Sequence, residues 1–129
     1  MKTTFLTWVL RITAAAILLQ TLYFKFTGAE ESVYIFSTLG IEPYGRFGSG
    51  IIELIAAVLI LFPKTTLIGA LMGCGVMIGA IFSHLFVLGI EVKNDGGELF
   101  ALAIVTFFCC VVLVFLNKNK IGNLLNLKL

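Results

Sequence analysis

Charge is what this sequence has least of. Only 12% of its 129 residues are Asp, Glu, Lys or Arg, about half the share a soluble domain uses to meet water. At this length a soluble fold still leaves much of its surface exposed, so the solvent for most of the chain is lipid, in keeping with a mean hydropathy of +1.09. The nine basic and seven acidic residues leave a net charge of +2, and no basic stripe follows any segment, so nucleic acid is not a partner. Cysteine is scarce too. Cys74, Cys109 and Cys110 lie inside hydrophobic runs without a CxxC pair, which points to packing rather than disulfide exchange. With one histidine and no cysteine or carboxylate at ligand spacing, a metal site is not expected, and a haem lacks a second axial ligand. There is no phosphate-binding glycine loop, and no serine beside a base.

What is there is apolar length. Four stretches, about 5–26, 45–62, 65–88 and 98–116, approach the roughly 20 residues that cross a bilayer core as a helix. They are continuous rather than alternating, and an open strand edge cannot face lipid, so every span is expected to be helical. The fold class is an all-α integral membrane bundle of four antiparallel helices, one domain over 1–129. The first stretch reads as a retained helix rather than a signal peptide. Arg11 interrupts its core, and hydrophobicity continues past Ala14-Ala15-Ala16.

Pro43 suits the first turn of the second helix. Pro63-Lys64 turns that helix straight into the third, and Asn94-Asp95-Gly96-Gly97 is a turn signal between third and fourth. The first connection is longer. Val33, Tyr34, Ile35, Phe36 and Leu39 beside Glu30 and Glu31 form an amphipathic segment over about 30–40, too charged to span, which lies at the interface or lids the bundle. Gly69/Gly73 and Gly75/Gly79 are small-xxx-small pairs that favour close helix contact, so the third spanning helix is the expected centre of the bundle. Lys2, Lys64, Lys118, Lys120, Lys128 and Arg11 fall on one side, against Lys25, Arg46 and Lys93 on the other. The basic excess places both termini in the cytoplasm.

An ionisable group near the bilayer midplane costs at least about 2.5 kcal/mol on insertion scales, so each one needs a reason. Glu53 sits two turns into the second helix among Ser49, Gly50, Ala56 and Ala57. His84 lies a turn from the outer end of the third, sharing a face with Ala80, Met77 and Gly73. Lys25 ends the first helix with Gln20 deeper, and Glu98 opens the fourth. In an antiparallel bundle these residues share the outer half, in a slab about 10 Å thick at 1.5 Å per residue. The expected site is a polar cluster with Glu53 and His84 at its heart and Lys25 as counter-ion. Structural glue between helices and a site for a ligand, quinone or proton are its two readings. Phe24, Phe26, Phe82 and Phe86 are the aromatics available to line it. Arg11 stands apart in the cytoplasmic half. It reaches either lipid phosphates, or a partner or the C-terminal part of the second helix.

Arg11, Phe24-Lys25-Phe26, Leu39-Gly40-Ile41-x-Pro43, Gly50-x-x-Glu53-Leu54 and Gly79-Ala80-x-x-Ser83-His84 together resemble the DoxX family, over about residues 8–116. The resemblance implies four transmembrane helices in the bacterial inner membrane. It also implies association with redox or oxidative-stress complexes, with Arg11, Lys25, Glu53 and His84 as the matched polar positions. Many members have a glycine a turn before the lysine, where this chain has Thr21 and Leu22.

Three functions are carried forward. The first is a non-catalytic accessory or binding subunit of a respiratory or stress-related redox complex, requiring no cofactor of its own. The second is a quinone-binding subunit of a membrane oxidoreductase, with His84 and Glu53 passing protons to a ring carbonyl. The third is a small-solute transporter, which needs a homo-oligomer because four helices alone make a poor conduit. All three have the lipid bilayer as partner.

Overall fold

A computed structural model of the chain describes residues 2–91 and 96–117. The chain folds into α1 (Lys2–Thr27), α2 (Glu30–Thr38), α3 (Tyr44–Leu61), α4 (Thr66–Ser83) and α5 (Glu98–Leu116), and the last turn of α4, His84–Leu88, is π-helical. No strand occurs among the described residues. Lys93, Asn94, Asp95, Lys118, Lys120 and Lys128, used above for the turn and the orientation, lie outside them.

Four helices are long and apolar enough to cross a membrane: α1, α3, α5, and α4 with its π turn. Their outward faces carry residues such as Phe5, Phe86 and Phe108, more than 60% exposed, a surface that suits hydrocarbon and not water. The fold class read from the apolar runs therefore holds, with α2 as the short extra helix. The spanning helices close a ring in the order α1, α3, α4, α5, so that α1 and α4 stand diagonally, and α2 crosses one end over α1, α3 and the π turn. Contrary to expectation, the third spanning helix, α4, is not central. Alanines and a few large residues fill the middle, among them Ala14 and Leu18 of α1, Ala56 and Ile60 of α3, Ala70 of α4, and Cys110 and Leu113 of α5.

The glycines of α4 divide by depth. A Cβ on Gly69 would stand 2.6 Å from the Ile60 amide nitrogen and 2.8 Å from the Ala56 carbonyl, and one on Gly73 would meet Cys110 Sγ at 2.7 Å. Here α4 approaches its neighbours as closely as backbones allow. Gly75 and Gly79, in the half nearer α2, have nothing within 4 Å of that position. They do not pack another helix, and the second small-xxx-small pair serves no close contact.

Each end of the α1–α3 pair is closed by an arginine. The last carbonyls of a helix have no partner within it, and in lipid no water supplies one. Arg11 of α1 is buried and donates Nε to the Ile60 carbonyl (2.8 Å) and Nη2 to that of Leu61, both at the end of α3, with its guanidinium 3.7 Å over the Trp8 ring. Thr66 donates to the Ile60 and Phe62 carbonyls and Thr65 to that of Leu59. At the opposite end Arg46 of α3 is also buried and donates Nη1 to the Lys25 carbonyl near the end of α1. Gly28, at φ +71°, turns the chain just beyond. Arg46 is in turn held by Glu42, whose carboxylate accepts from Nε and Nη2 at 2.9 Å each.

Candidate functional site

A cavity of about 480 Å³ opens in the half of the bundle nearer α2, within the size range of small-molecule sites. Its lining is mostly apolar and comes from all four spanning helices, with Ser32, Ile35 and Phe36 of α2 forming a roof. Gly75 and Gly79 lie in its wall. The side chains they lack are part of the reason there is space.

On the α1–α3 side, antiparallel register brings Lys25, near the end of α1, level with the early part of α3. Lys25 Nζ forms an ion pair with Oε2 of Glu53 and donates to Ser49 Oγ at 3.0 Å. Thr21, one turn deeper in α1, donates to Oε1 of Glu53 at 2.8 Å. Glu53 is only 2% exposed, and both of its oxygens are engaged. The Lys25 ammonium also lies 5.4 Å from the centre of the Phe36 ring above it. A buried charge is tolerated when it is paired and hydrogen-bonded on every side, and this one is.

The α4–α5 side is built differently. The Gly89 amide donates to the His84 carbonyl at 2.7 Å, closing the π turn, and Gly89, at φ +85°, leads out of it. The same residue's carbonyl lies 3.0 Å from His84 Nδ1. The imidazole is buried, with its ring set edge-on to Phe100 at 5.5 Å. π-Helical turns inside α-helices are rare and are frequent at functional sites. Lower on the same side, Thr106 is fully buried and lines the cavity. Its hydroxyl is the one buried side-chain polar atom among the described residues with no hydrogen-bond partner. A helical threonine ordinarily returns its hydroxyl to a carbonyl of the preceding turn, and Thr106 does not. Nine residues into α3 and eight into α5, Glu53 and Thr106 share a depth at the floor of the cavity, while His84 stands nearer the roof.

Lys25, Glu53, His84, Gln20 and Glu98 thus all line one cavity, but only Lys25 and Glu53 touch. His84 bonds to its own chain instead. Gln20 and Glu98 are exposed wall residues. Arg11 lies at the far end, on the carbonyls of α3. Of the four phenylalanines considered for the lining, Phe24 takes part. Phe26 stacks on Phe47, while Phe82 and Phe86 stack on each other at the exposed surface. Thr106 and Thr21 were not among the expected site residues, and Phe36 entered only as part of the amphipathic segment that could lid the bundle. The signal for Thr106 was present in the sequence, as the hydroxyl in the interior of the most apolar span, Glu98–Leu116, mean hydropathy 3.1.

The arrangement can hold a small, largely apolar molecule that carries polar atoms at two levels, one near the floor and one near the roof. Residues 9–116, most of the chain, match the family model described as the DoxX-like family. No curated protein and no solved structure gives a significant match.

Proposed function

This chain belongs to the DoxX-like family, and from that premise we propose that it is a membrane-embedded binding subunit, not a catalyst on its own, that holds a quinone-type ring molecule in the cavity beneath α2. It serves a respiratory or oxidative-stress redox complex of the bacterial inner membrane, with both termini in the cytoplasm and α2 on the outer side. The observation that carries the reading is the cavity itself. About 480 Å³ of mostly apolar space is ringed by Thr21, Glu53, His84 and Thr106, the combination that binds an apolar body by burial and orients it by a few polar contacts. The Lys25–Glu53 pair is saturated by its own partners, so its part is to fix the α1–α3 wall. His84 and Thr106, with the Ser32 hydroxyl of the roof and the Gln20 amide of the wall, are the groups left for a ligand.

Purification from native membranes in a mild detergent tests this. Lipid extraction is expected to yield a quinone in roughly equal amount to the chain, with redox-complex subunits co-purifying. A quinone-free sample that also fails to take up added short-chain quinone overturns the reading.

A further inference from the structure

The groups left over inside the cavity are chemically unequal, and that inequality bears on which ligand they accept. A backbone carbonyl can only accept a hydrogen bond, so His84 Nδ1, 3.0 Å from the Gly89 carbonyl, must carry the ring proton. The tautomer of a neutral histidine is set by the bond its other nitrogen makes. Nε2 is then a bare acceptor, and it is the nitrogen left to meet whatever occupies the cavity that His84 lines. At the floor, the fully buried Thr106 hydroxyl has no partner, and a hydroxyl both donates and accepts. Leaving such a group unsatisfied is unfavourable, so its position in a cavity wall marks it as a contact rather than a packing residue. At His84 Nε2 the cavity thus asks for a donor, and near the floor it can satisfy an acceptor; the Ser32 hydroxyl and the Gln20 amide, also in the lining, can serve a partner of either kind.

We propose that the cavity selects a ring hydroxyl over a bare ring carbonyl. Its ligand is a phenolic molecule, or the reduced form of a quinone, donating its hydroxyl to His84 Nε2 while a second ring oxygen accepts from Thr106. This rests on the reading of the cavity as a ring-ligand site and goes further, because it fixes which redox form is held. A molecule with carbonyls alone would set acceptor against acceptor at His84. The π turn has a purpose in this scheme. It brings the Gly89 carbonyl back onto Nδ1, which an uninterrupted helix does not do.

Two probes that differ at one group test the selection: 4-hexyloxyphenol and its O-methyl ether. Both carry an ether oxygen for Thr106, and only the phenol can donate to His84. Titrations at pH 8 into the full chain in nanodiscs, with empty nanodiscs subtracted, are expected to show the phenol binding about tenfold or more tightly, the worth of one buried hydrogen bond. His84→Phe keeps a ring against Phe100 and is expected to erase the difference between the probes. Thr106→Val, nearly isosteric, is expected to weaken both several-fold and to leave their ratio intact. A ratio that persists in His84→Phe means that the methyl group is merely too large, and overturns the proposal. Equal binding of the two probes to the unmodified chain also overturns it, while the ring-ligand reading stands. If neither probe binds but quinone is retained from native membranes, the selection for hydroxyl is wrong and the cavity reading survives. If quinone is absent as well, both fall.

Discussion

Toward the Pro63 turn, glycine draws the helices shut, whereas toward α2 the same residue borders a cavity; an arginine caps a helix end in each half. Gly69 and Gly73 admit a neighbouring backbone or sulfur to within 2.6–2.7 Å of a missing Cβ, and Gly75 and Gly79 face open space. Arg11 is committed to two carbonyls and a tryptophan ring, while Arg46 shares its guanidinium between a carbonyl and the carboxylate of Glu42. Lipid tails are as apolar as leucine, so helices associate in a membrane through close packing and through satisfying polar groups. The Pro63 half does both continuously. In the α2 half, packing has been given up over about 480 Å³, and one buried ion pair ties α1 to α3 in its place.

If that pair holds the open half together, breaking it gives the largest effect. Lys25→Met leaves Glu53, 2% exposed, without its cation, and removing one member of a buried pair typically destabilises by about 3–5 kcal/mol. The charge-swapped double variant, Lys25→Glu with Glu53→Lys, is expected to recover most of the loss in thermal unfolding in detergent. A Lys25→Met protein that melts with the parent would show that the open half is held by something else.

The glycines sharpen the contrast by changing sign. Gly69→Ala drives a methyl into the backbone of α3 at Ile60 and Ala56, which cannot swing aside as a side chain would, so a loss of about 1–3 kcal/mol is expected. Gly79→Ala meets nothing within 4 Å and removes a flexible residue from a helix, for an expected gain of about 0.5–1 kcal/mol. Ten residues apart on one helix, the same chemical change reports directly on which half is packed. Equal effects at the two positions would erase the distinction between the halves.

Depth was legible in this sequence and direction was not. The length of each apolar run is set by the bilayer, and a rise of 1.5 Å per residue then gives the level of every polar group. That is why Lys25 and Glu53 could be expected together before their contact was seen. Which way a side chain faces around its helix is set by packing against neighbours, which no single run encodes. Gly75 and Gly79 therefore looked like Gly69 and Gly73, and Phe82 and Phe86 looked as ready to line a site as Phe24. Backbone partners were less legible for a further reason, although the end of the second spanning helix was among the readings for Arg11 and is where it bonds. Arg11, Arg46 and His84 all bond to carbonyls, and a helix end or a π turn offers these whatever residue sits there. Arg46 was accordingly counted as an outer charge, though it is buried over the end of α1. Thr106 needed only the question of why a hydroxyl stood within so apolar a helix.

The two arginine caps allow the finest test, because only one of them has an acid in it. Hydrogen bonds from Arg46 hold the Glu42 carboxyl below its ordinary value, outweighing the partial desolvation that opposes them. A carboxyl whose folded value is depressed contributes stability at pH above its unfolded value, and that contribution disappears as pH falls through the folded one. The stability difference between the parent and Glu42→Gln is therefore expected to be small, fully present near neutral pH, and gone once the medium is more acidic than the carboxylate range. The loss caused by Arg11→Met, which leaves the Ile60 and Leu61 carbonyls short of a donor, has no carboxylate in its cap and is expected to stay constant over the same range. Parallel unfolding curves of the three proteins across pH would decide it. Equal stability of the parent and Glu42→Gln near neutral pH would mean that Arg46 caps α1 without help from Glu42, and that the two ends of the α1–α3 pair are closed in the same way.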